Sequence, residues 1–355
     1  MSSLVIQTSF LGDMVLTTPL LERLAERGAV DVVATPANAV LLAQHPAVRD
    51  VILFDKRGAE RGFRGLKRVA NQIRWRETAN GRELRGARVA YLAQGSVRSA
   101  WLAILGGIGE RVGFRSSAGR LFYTKQIPYR RDLHHATRLW QLASASPKEL
   151  PVHSPRPSLF PSVADVASVD ALLNDAGVLF MDSFVALAPG SVWKTKRWPS
   201  YDILARTIAE DALLCAHRVV VIGGPGDNEL AAAINEQLLS VGAKPAINAT
   251  GKLSLLASAN LISRAVALVT NDSSPLHLAS AVGTPTIALF GPTVPGFGFG
   301  PLAPSHAILG MEQLLCRPCN AHGPQSCPLG HWKCMKELSA SVVAESLVQI
   351  QTVSP

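Results

Sequence analysis

The sequence predicts an α/β fold built from two doubly wound domains. Short β-rich segments alternate with helical segments in two blocks, the first opening on "LVIQTS" and the second on "FVALAPG". Such alternation is typical of βαβ units, in which helices cover both faces of a parallel sheet. A stretch rich in Pro and Ser, residues 146–162, separates the blocks. The predicted divisions are a first domain over 1–160, a second over 161–335, and a C-terminal helix within 336–355 that packs back on the first domain.

The individual segments follow this alternation. In the first block we predict strands over 3–8, 30–35, 51–54 and 89–93. Its first helix, 14–27, contains Pro19, which predicts a kink or an irregular first turn. In the second block we predict strands over 184–190, 217–224, 265–271 and 286–291, and helices over 201–215, 227–240, 253–264, 275–282 and 335–351. Ligands bind beyond the carboxyl ends of such strands, so the cleft between the domains is the expected active site.

The composition indicates a globular protein with one strongly basic segment. Of the 355 residues 48% are hydrophobic, and no apolar run approaches the ~18–20 residues of a membrane span. The N-terminal "MSSLVIQTSFLGDM" is typical of a strand rather than a signal peptide, so we expect a cytoplasmic protein. Between Lys56 and Arg88, eleven Lys or Arg residues are opposed by three acids. The segment is either a solvated helix face or the site of an anionic partner: nucleic acid, an acidic membrane surface or a phosphorylated substrate.

The first strand leads into "TSFLGDMVLTTPL", which places Asp13 at a helix N-terminus on the carboxyl edge of the sheet. Two interpretations stay open from spacing alone. Asp13 is a helix cap, whose carboxylate accepts backbone N–H groups, or it is a general base that faces the ligand.

The second block carries a candidate anion site. In "TNDSSPLHLASAVGTPTIALFGPT", Asp272, Ser273 and Ser274 come directly before a helix that a proline opens, and His277 lies in its first turn. Free N–H groups and the helix dipole at such a place bind phosphate. The alternatives are that Asp272 and Ser273 only cap the helix and that His277 only packs.

Two further turns follow strands of the same sheet. "APGSVWKTKRWP" carries Ser191, Lys194 and Lys196, and a lysine there neutralises a diphosphate as a compact charge. "IGGPGDNEL" is not a dinucleotide fingerprint, and its Glu229 either accepts from ribose hydroxyls or is an ordinary first-turn acid. Together these turns predict a nucleotide-diphosphate ligand.

Four of the five cysteines lie in "CRPCNAHGPQSCPLGHWKC", with the spacing C-x2-C-x7-C-x6-C. Three states are open for Cys316, Cys319, Cys327 and Cys334: reduced thiols in a packed loop, a structural metal site with zinc ahead of iron–sulfur, or disulfides, which a cytoplasmic location disfavours.

These motifs, in this order, resemble the ADP-heptose:lipopolysaccharide heptosyltransferases of glycosyltransferase family 9. The matching segments also include "QGSVRSAWLAILGGIGERVGF" and "VVVIGGPGDNE", and the cysteine segment resembles the heptosyltransferase II subgroup. The resemblance implies a GT-B fold of two Rossmann-like domains, with the acceptor in the first and the nucleotide sugar in the second. It implies inverting transfer of heptose from ADP-heptose to a heptose of the lipopolysaccharide inner core, with no cofactor required for catalysis.

The resemblance also assigns residues. Asp13 matches the catalytic base, Lys196 the lysine that stabilises the leaving diphosphate, and Glu229 the acid near the adenosine. The donor loop takes Ser191, Lys194, Asp272, Ser273, Ser274 and His277. Where the family often has an aspartate before "QG", this chain has Ala93.

The acceptor implied by the resemblance is anionic and anchored in the cytoplasmic leaflet of the inner membrane. We hypothesise that Arg61, Arg64, Lys67 and Arg68 hold it there as the enzyme binds peripherally. The alternatives are another nucleotide sugar, a nucleotide-sugar binder without turnover, or a nucleic-acid-binding protein using residues 56–88. No nucleic-acid-binding motif supports the last, so no nucleic-acid partner is expected.

Overall fold

The computed structural model describes residues 2–78, 81–146, 148–179 and 181–352. The chain divides into two compact units, Met1–Phe160 and Pro161–Pro355, at the domain boundary predicted from the sequence. Within the described ranges, no helix combines the length and the apolar character needed to cross a membrane.

The first unit is a parallel sheet of six strands with helices around it. The strands of this sheet are β1 (Ser2–Gln7), β2 (Val30–Ala34), β3 (Asp50–Leu53), β6 (Ala87–Leu92), β7 (Glu110–Phe114) and β8 (Lys125–Ile127). Two further strands, β4 (Trp75–Thr78) and β5 (Gly81–Leu84), form a separate antiparallel hairpin. Its helices are α1 (Leu11–Ala25), α2 (Pro36–Ala39), α3 (Gly62–Arg74), α4 (Val97–Leu105) and α5 (His135–Gln141). The order across the large sheet is β3-β2-β1-β6-β7-β8.

The second unit repeats this plan. Its strands are β9 (Phe184–Ala188), β10 (Arg218–Val221), β11 (Ile247–Asn248), β12 (Ala267–Asn271), β13 (Thr286–Leu289) and β14 (His306–Leu309). Its helices are α6 (Val163–Asp175), α7 (Tyr201–Glu210), α8 (Asn228–Ser240), α9 (Leu255–Ser263), α10 (Ser274–Val282), α11 (Lys333–Lys336) and α12 (Ala340–Thr352). The six parallel strands run β11-β10-β9-β12-β13-β14, which is the same order. The predicted α/β class with two doubly wound sheets is confirmed.

In both sheets the strand order reverses at the centre. The first strand of each unit, β1 or β9, lies between strands reached by crossovers in opposite directions. Such a switch point leaves a crevice beyond the carboxyl ends of the two central strands, where α/β proteins bind their ligands. Functional residues are therefore expected beyond the carboxyl ends of β1 and β6 in the first unit, and of β9 and β12 in the second.

Helix α1 runs from Leu11 to Ala25 with Pro19 inside it. Pro19 has no N–H for the carbonyl of Val15, four residues earlier. The hydroxyl of Thr18 donates to that carbonyl instead, at 2.9 Å. The side chain thus replaces the hydrogen bond that the proline removes.

Helix α12 contributes to the core of the second unit. Its buried side chains, Val343, Ala344, Leu347 and Ile350, belong to the core of the second unit, together with residues of α7 and β13. Their spacing puts them on one apolar stripe of the helix, and the neighbouring surface of the second sheet buries that stripe. Helix α12 therefore completes the core of the second unit, and the packing of residues 336–355 on the first domain stays a prediction.

This placement predicts an asymmetric response to truncation on α12. Leu347→Ala removes a fully buried side chain and should lower the free energy of unfolding by about 2–4 kcal/mol. Val342 is 42% exposed on the same helix, so Val342→Ala should change the free energy of unfolding by less than about 0.5 kcal/mol. Urea unfolding followed by tryptophan fluorescence measures both, and equal effects would contradict the packing described.

Candidate active site

In the first unit, the turn between β1 and α1 brings Asp13 to the carboxyl edge of the sheet. Asp13 lies in the first turn of α1, and its Oδ2 accepts the backbone N–H of Phe10 at 3.3 Å. Asp13 is thus a capping residue, but from the third helical position, since Phe10 occupies the N-cap. The cap interpretation accounts for one carboxylate oxygen and leaves the other for chemistry.

His135 approaches that second oxygen. Its Nε2 is 3.6 Å from Asp13 Oδ1, and both side chains are largely buried, with 12% and 18% exposure. His135 begins α5, which packs against α1. Sequence analysis missed this residue because its only local signal is a histidine pair, "HH", far along the chain from Asp13.

Burial raises the pKa of Asp13 from 3.8 to about 6, although hydrogen bonds from Phe10 and Ser9 act in the opposite direction. A carboxyl group with a pKa near the working pH takes up a proton in a reaction more readily than an ordinary surface aspartate. Perturbed carboxyl groups of this kind cluster at functional sites.

In the second unit, the loops after β9 and β12 meet through a buried ion pair. Lys196 Nζ is 2.6 Å from Asp272 Oδ2, and the two side chains are 9% and 10% exposed. The hydroxyl of Thr293 donates to the same carboxylate oxygen at 2.7 Å. The pair fixes the ammonium group of Lys196 at the carboxyl edge of the sheet.

The residues at the start of α10 differ in what they do. Ser273 is the N-cap residue, yet its hydroxyl makes no cap hydrogen bond. That hydroxyl is buried and has no hydrogen-bond partner in the part of the chain the structure describes, which favours a ligand role over capping. Ser274 is the first helical residue. His277 is buried and packs edge-on against Phe299, with ring centroids 6.3 Å apart, and its two interpretations both stay open.

The remaining predicted donor residues lie at the same edge but closer to solvent. The Ser191 hydroxyl accepts the backbone N–H of Trp193 at 3.3 Å. Lys194 is exposed, as is Glu229 in the first turn of α8. Of the predicted donor residues, the structure joins Lys196 to Asp272 by a direct side-chain contact.

Asp227 is a residue that the sequence analysis missed at this edge. Its Oδ2 accepts the N–H of Gly224 at 2.9 Å. A Cβ at Gly190 or Gly223 would lie only 2.4 or 2.6 Å from that oxygen. The absence of a Cβ at these two glycines therefore lets the loops after β9 and β10 approach the Asp227 carboxylate closely. In the sequence, the glycines in "APG" and "IGGPG" were the signal for this close approach.

With this geometry in place, comparison with known proteins is decisive. A sequence profile of glycosyltransferase family 9 (heptosyltransferase) matches residues 78–332. The chain belongs to this family. Lipopolysaccharide heptosyltransferase 1 of Pseudomonas aeruginosa is 30% identical over 330 residues, which are 90% of this chain and 86% of that one. Lipopolysaccharide heptosyltransferase 2 of Escherichia coli is 27% identical over 315 residues, 84% of each chain.

The fold agrees with this assignment. The solved structure of the E. coli ADP-heptose lipopolysaccharide heptosyltransferase II superposes with a TM-score of 0.76 at 23% identity, covering 99% of both chains. The predicted GT-B architecture and the prediction of a glycosyltransferase are confirmed.

In this family 9 protein the cysteine-rich loop, residues 316–334, packs on the loop after β9, which carries Lys196, and on the loop after β13, which carries Thr293. The backbone N–H of Cys319 donates to Pro292 O, and the indole N–H of Trp332 donates to Thr195 O, both at 2.8 Å. The Arg317 guanidinium donates to Phe290 O at 2.7 Å. The loop therefore lies against the candidate site, and its Gln325 side chain accepts the backbone N–H of Lys194 at 3.3 Å.

The thiols of this loop are all unpaired, which excludes the disulfide alternative for this structure. Burial, reinforced by the neighbouring thiols, raises the pKa of Cys334 to about 11. Across the described ranges, no three His, Cys, Asp or Glu side chains are placed to hold one metal ion. Cys316, Cys319, Cys327 and Cys334 thus form no ready-made tetrahedral site here, and the structural zinc stays a prediction.

The basic segment divides into parts with different roles. Arg64, Lys67 and Arg68 are exposed on α3 and line, with Arg74, a groove of about 510 Å³. Arg61 is the N-cap residue of α3.

Arg85, by contrast, is used inside the first unit. Its guanidinium is 2.8 Å from Asp50 and 3.4 Å from the fully buried Asp31. The number of cations available to a partner is therefore smaller than the sequence suggested.

The raised pKa of Asp13 predicts a dependence of stability on pH. Because the folded-state pKa lies above the unfolded value, the stabilising contribution is fully present below pH 3.8 and is lost as the pH rises through about 6. The total loss is about 3 kcal/mol, of which about 2 kcal/mol falls between pH 4.5 and 8.

Asp13→Asn removes this titration while it can still accept the Phe10 N–H. Relative to the wild type, the variant should gain about 2 kcal/mol of unfolding free energy between pH 4.5 and pH 8. Urea titrations at the two pH values measure the difference. A variant that tracks the wild type at both would show that the Asp13 carboxyl has an ordinary pKa.

Proposed function

We propose that this family 9 enzyme transfers heptose from ADP-heptose to a heptose of the lipopolysaccharide inner core, with inversion at the transferred carbon. The observation that carries the proposal is the Asp13 carboxyl group, held at the carboxyl edge of the first sheet with a pKa near 6. The family assignment and the names of the relatives supply the substrate class.

The acceptor is activated by Asp13. In a single displacement, the acceptor hydroxyl attacks the anomeric carbon of the donor as the bond to the diphosphate breaks. Asp13 takes the hydroxyl proton in that step. His135, 3.6 Å from the other carboxylate oxygen, keeps the carboxyl group oriented.

The leaving diphosphate is stabilised in the second unit. Negative charge grows on the departing ADP, and fixed dipoles and cations aimed at that place lower the barrier. Lys196, the Ser273 hydroxyl and the N-terminus of α10 are the groups available there. A diphosphate leaves without protonation, so no second carboxyl acid is needed. Ser191, Lys194 and Glu229 serve the nucleotide, and no metal takes part in the proposed step.

The acceptor's anionic groups are proposed to engage Arg61, Arg64, Lys67 and Arg68, which also attract the enzyme to an anionic membrane surface. We therefore propose that the enzyme acts at the cytoplasmic face of the inner membrane as a peripheral protein. The amphipathic α3, with buried Leu66, Val69 and Ile73 under an exposed cationic face, supports the proposal.

One assay tests the reaction and the order of addition. The protein is incubated with ADP-heptose and an inner-core acceptor that carries one heptose, and a parallel sample has an acceptor with none. Release of ADP with a mass gain of one heptose on the first acceptor supports transfer of the second heptose. Reaction only on the acceptor without heptose would show that the enzyme adds the first heptose. Turnover with a UDP-sugar in place of ADP-heptose would contradict the proposed donor.

The pH dependence of kcat/KM should report Asp13. Because the base must be deprotonated, kcat/KM should fall tenfold per pH unit below about 6. Asp13→Asn should lose about 10²–10⁴ in kcat while ADP affinity is unchanged. An acid limb near pH 4, or full activity in the variant, would remove Asp13 from the role of base.

We propose that the cysteine-rich loop stabilises the donor site by holding the loop that carries Lys196 in place. Gly323, at a φ of +80°, lies so close to the site that an added Cβ would be 3.2 Å from Lys196 Cε and 3.1 Å from Pro292 Cγ. Gly330, in the same loop at a φ of +71°, has no atom within 4 Å of such a Cβ. The two positions share backbone strain and differ in contact with Lys196.

Substitution of these glycines separates strain from contact. Gly323→Ala and Gly330→Ala should both destabilise the loop by about 1–2 kcal/mol. Only Gly323→Ala should also weaken ADP binding, by about three- to tenfold, because it displaces the lysine. Isothermal titration with ADP measures this, and equal losses in the two variants would show that the loop acts on stability alone.

A further inference from the structure

The turn between β1 and α1, residues 8–10, is held by a buried amide side chain that has no role so far. Gln7 is the last residue of β1 and is 1% exposed. Its side-chain oxygen accepts the backbone N–H of Ser9 at 3.2 Å. Its amide nitrogen donates to the hydroxyl of Thr17 at 3.1 Å. Removal of this amide would leave buried partners without a hydrogen bond, so the amide fixes their positions relative to one another.

Thr17 extends this contact to the residue proposed as the base. It lies one helical turn after Asp13 in α1 and is fully buried. Its hydroxyl donates to the main-chain carbonyl of Asp13 at 2.6 Å while it accepts from Gln7. The Gln7 amide is therefore connected to the main chain at two points: at Ser9 directly, and at Asp13 through Thr17.

Asn38 holds the same turn from the side of α2. It is 1% exposed, and its amide nitrogen donates to the main-chain carbonyl of Ser9 at 3.0 Å. Both main-chain polar groups of Ser9 are thus bound to buried side chains, the N–H to Gln7 and the carbonyl to Asn38. The Ser9 hydroxyl is hydrogen-bonded to the Asp13 carboxyl group. It reaches the carboxyl group from a backbone position that the two amides fix.

We propose that Gln7 is a positioning residue for the base: its amide holds the Ser9 hydroxyl against the Asp13 carboxyl group. The inference rests on the proposed function for the role of Asp13. A hydroxyl that donates to a carboxylate favours the ionised form, which is the form a base needs. Gln7 acts on the base through Ser9 and Thr17, without contact of its own with the carboxyl group.

Other charged groups near Asp13 stay in place when Gln7 or Thr17 is changed. From α5, His135 Nε2 faces the Asp13 carboxyl group at 3.6 Å, whereas Arg138 donates to main-chain carbonyls of the preceding loop. Lys56 donates to a carbonyl of the turn at 2.6 Å. Asp31 of β2 is in ion pairs with arginines. The sequences of β1 and α2 contain no titratable residue.

Titration of the Asp13 carboxyl group in the full chain, with no substrate present, tests the proposal. The protein is labelled with ¹³C-carboxyl aspartate, and the Asp13 resonance is the one that Asp13→Asn removes. In the wild type the pKa from this titration is expected at about 6. Gln7→Met keeps the length of the side chain and removes both hydrogen bonds. The titration midpoint should then rise by about 0.5–1 pH unit, because the Ser9 hydroxyl loses its fixed position.

Two neighbouring threonines of α1 provide a matched pair of variants. Thr17 and Thr18 are both fully buried, and each hydroxyl donates to a main-chain carbonyl and accepts one hydrogen bond. Thr17→Val should raise the Asp13 midpoint by about 0.5 pH unit. Thr18→Val, whose hydroxyl contacts Val15 and Ser158 instead, should leave it within about 0.2 pH unit of the wild type.

The pair separates positioning from a general loosening of α1, which would move the midpoint equally in both variants. It also decides the question if Gln7→Met fails to fold. Equal midpoints in Thr17→Val and Thr18→Val, or a folded Gln7→Met whose midpoint does not rise, would overturn the proposal.

Turnover distinguishes this inference from the proposed reaction. If the wild type transfers heptose, the acid limb of kcat/KM in Gln7→Met should move upward with the titration midpoint, while the KM for ADP-heptose stays within about twofold. If the wild type transfers no heptose but the midpoint rises in Gln7→Met and Thr17→Val, the positioning by Gln7 stands and the proposed reaction falls. Transfer by the wild type with an unchanged midpoint in both variants is the reverse case.

Discussion

The reversal of strand order at the centre of each parallel sheet is the constraint on which the rest of the site depends. Crossovers leave the two central strands in opposite directions, so their connecting loops diverge and a crevice opens beyond them. In the second unit one side chain spans that crevice. Asn271, at the end of β12, donates to Pro189 O at 2.8 Å and accepts the N–H of Trp198 at 3.1 Å. This bridge sets the course of the loop that carries Lys196, and hence the distance at which Lys196 meets Asp272.

The two carboxylates at these edges show how environment divides their roles. Asp272 meets an ammonium group at 2.6 Å and a hydroxyl at 2.7 Å, and each partner of this buried pair would be costly to leave alone. Asp13 meets a backbone N–H at 3.3 Å and a histidine at 3.6 Å, which compensate its burial only in part. Under the proposed function, Asp272 positions the ammonium group of Lys196, and Asp13, whose pKa is raised by burial, takes up the proton of the acceptor hydroxyl. The two carboxylates differ because the fold brings Lys196 and Thr293 to Asp272, and Phe10 and His135 to Asp13.

The central strands and the turns after them could be predicted from the sequence, because these segments carry the strongest local patterns. Strands buried along their whole length, such as β9 and β12, are continuous apolar runs. The short edge strands β8 and β14 bury little and leave no such pattern. The pairing of His135 with Asp13, and the use of Arg85 by Asp50, join segments that only the folded chain brings together. Charge counts along a sequence cannot separate a structural arginine from a free one.

The basic segment, which composition presented as one patch, is three features in the fold. Arg85 pairs with the buried Asp31 and with the partly exposed Asp50, the cations of α3 are exposed to solvent, and Lys56 lines a cavity. Exposed charges act over about a Debye length, roughly 8–10 Å at cellular salt, and give attraction without orientation. A cation fixed by a backbone carbonyl in a concave wall gives orientation, because its position is set before the ligand arrives. Under the proposed function, the exposed cations of α3 raise the rate of encounter with an anionic acceptor.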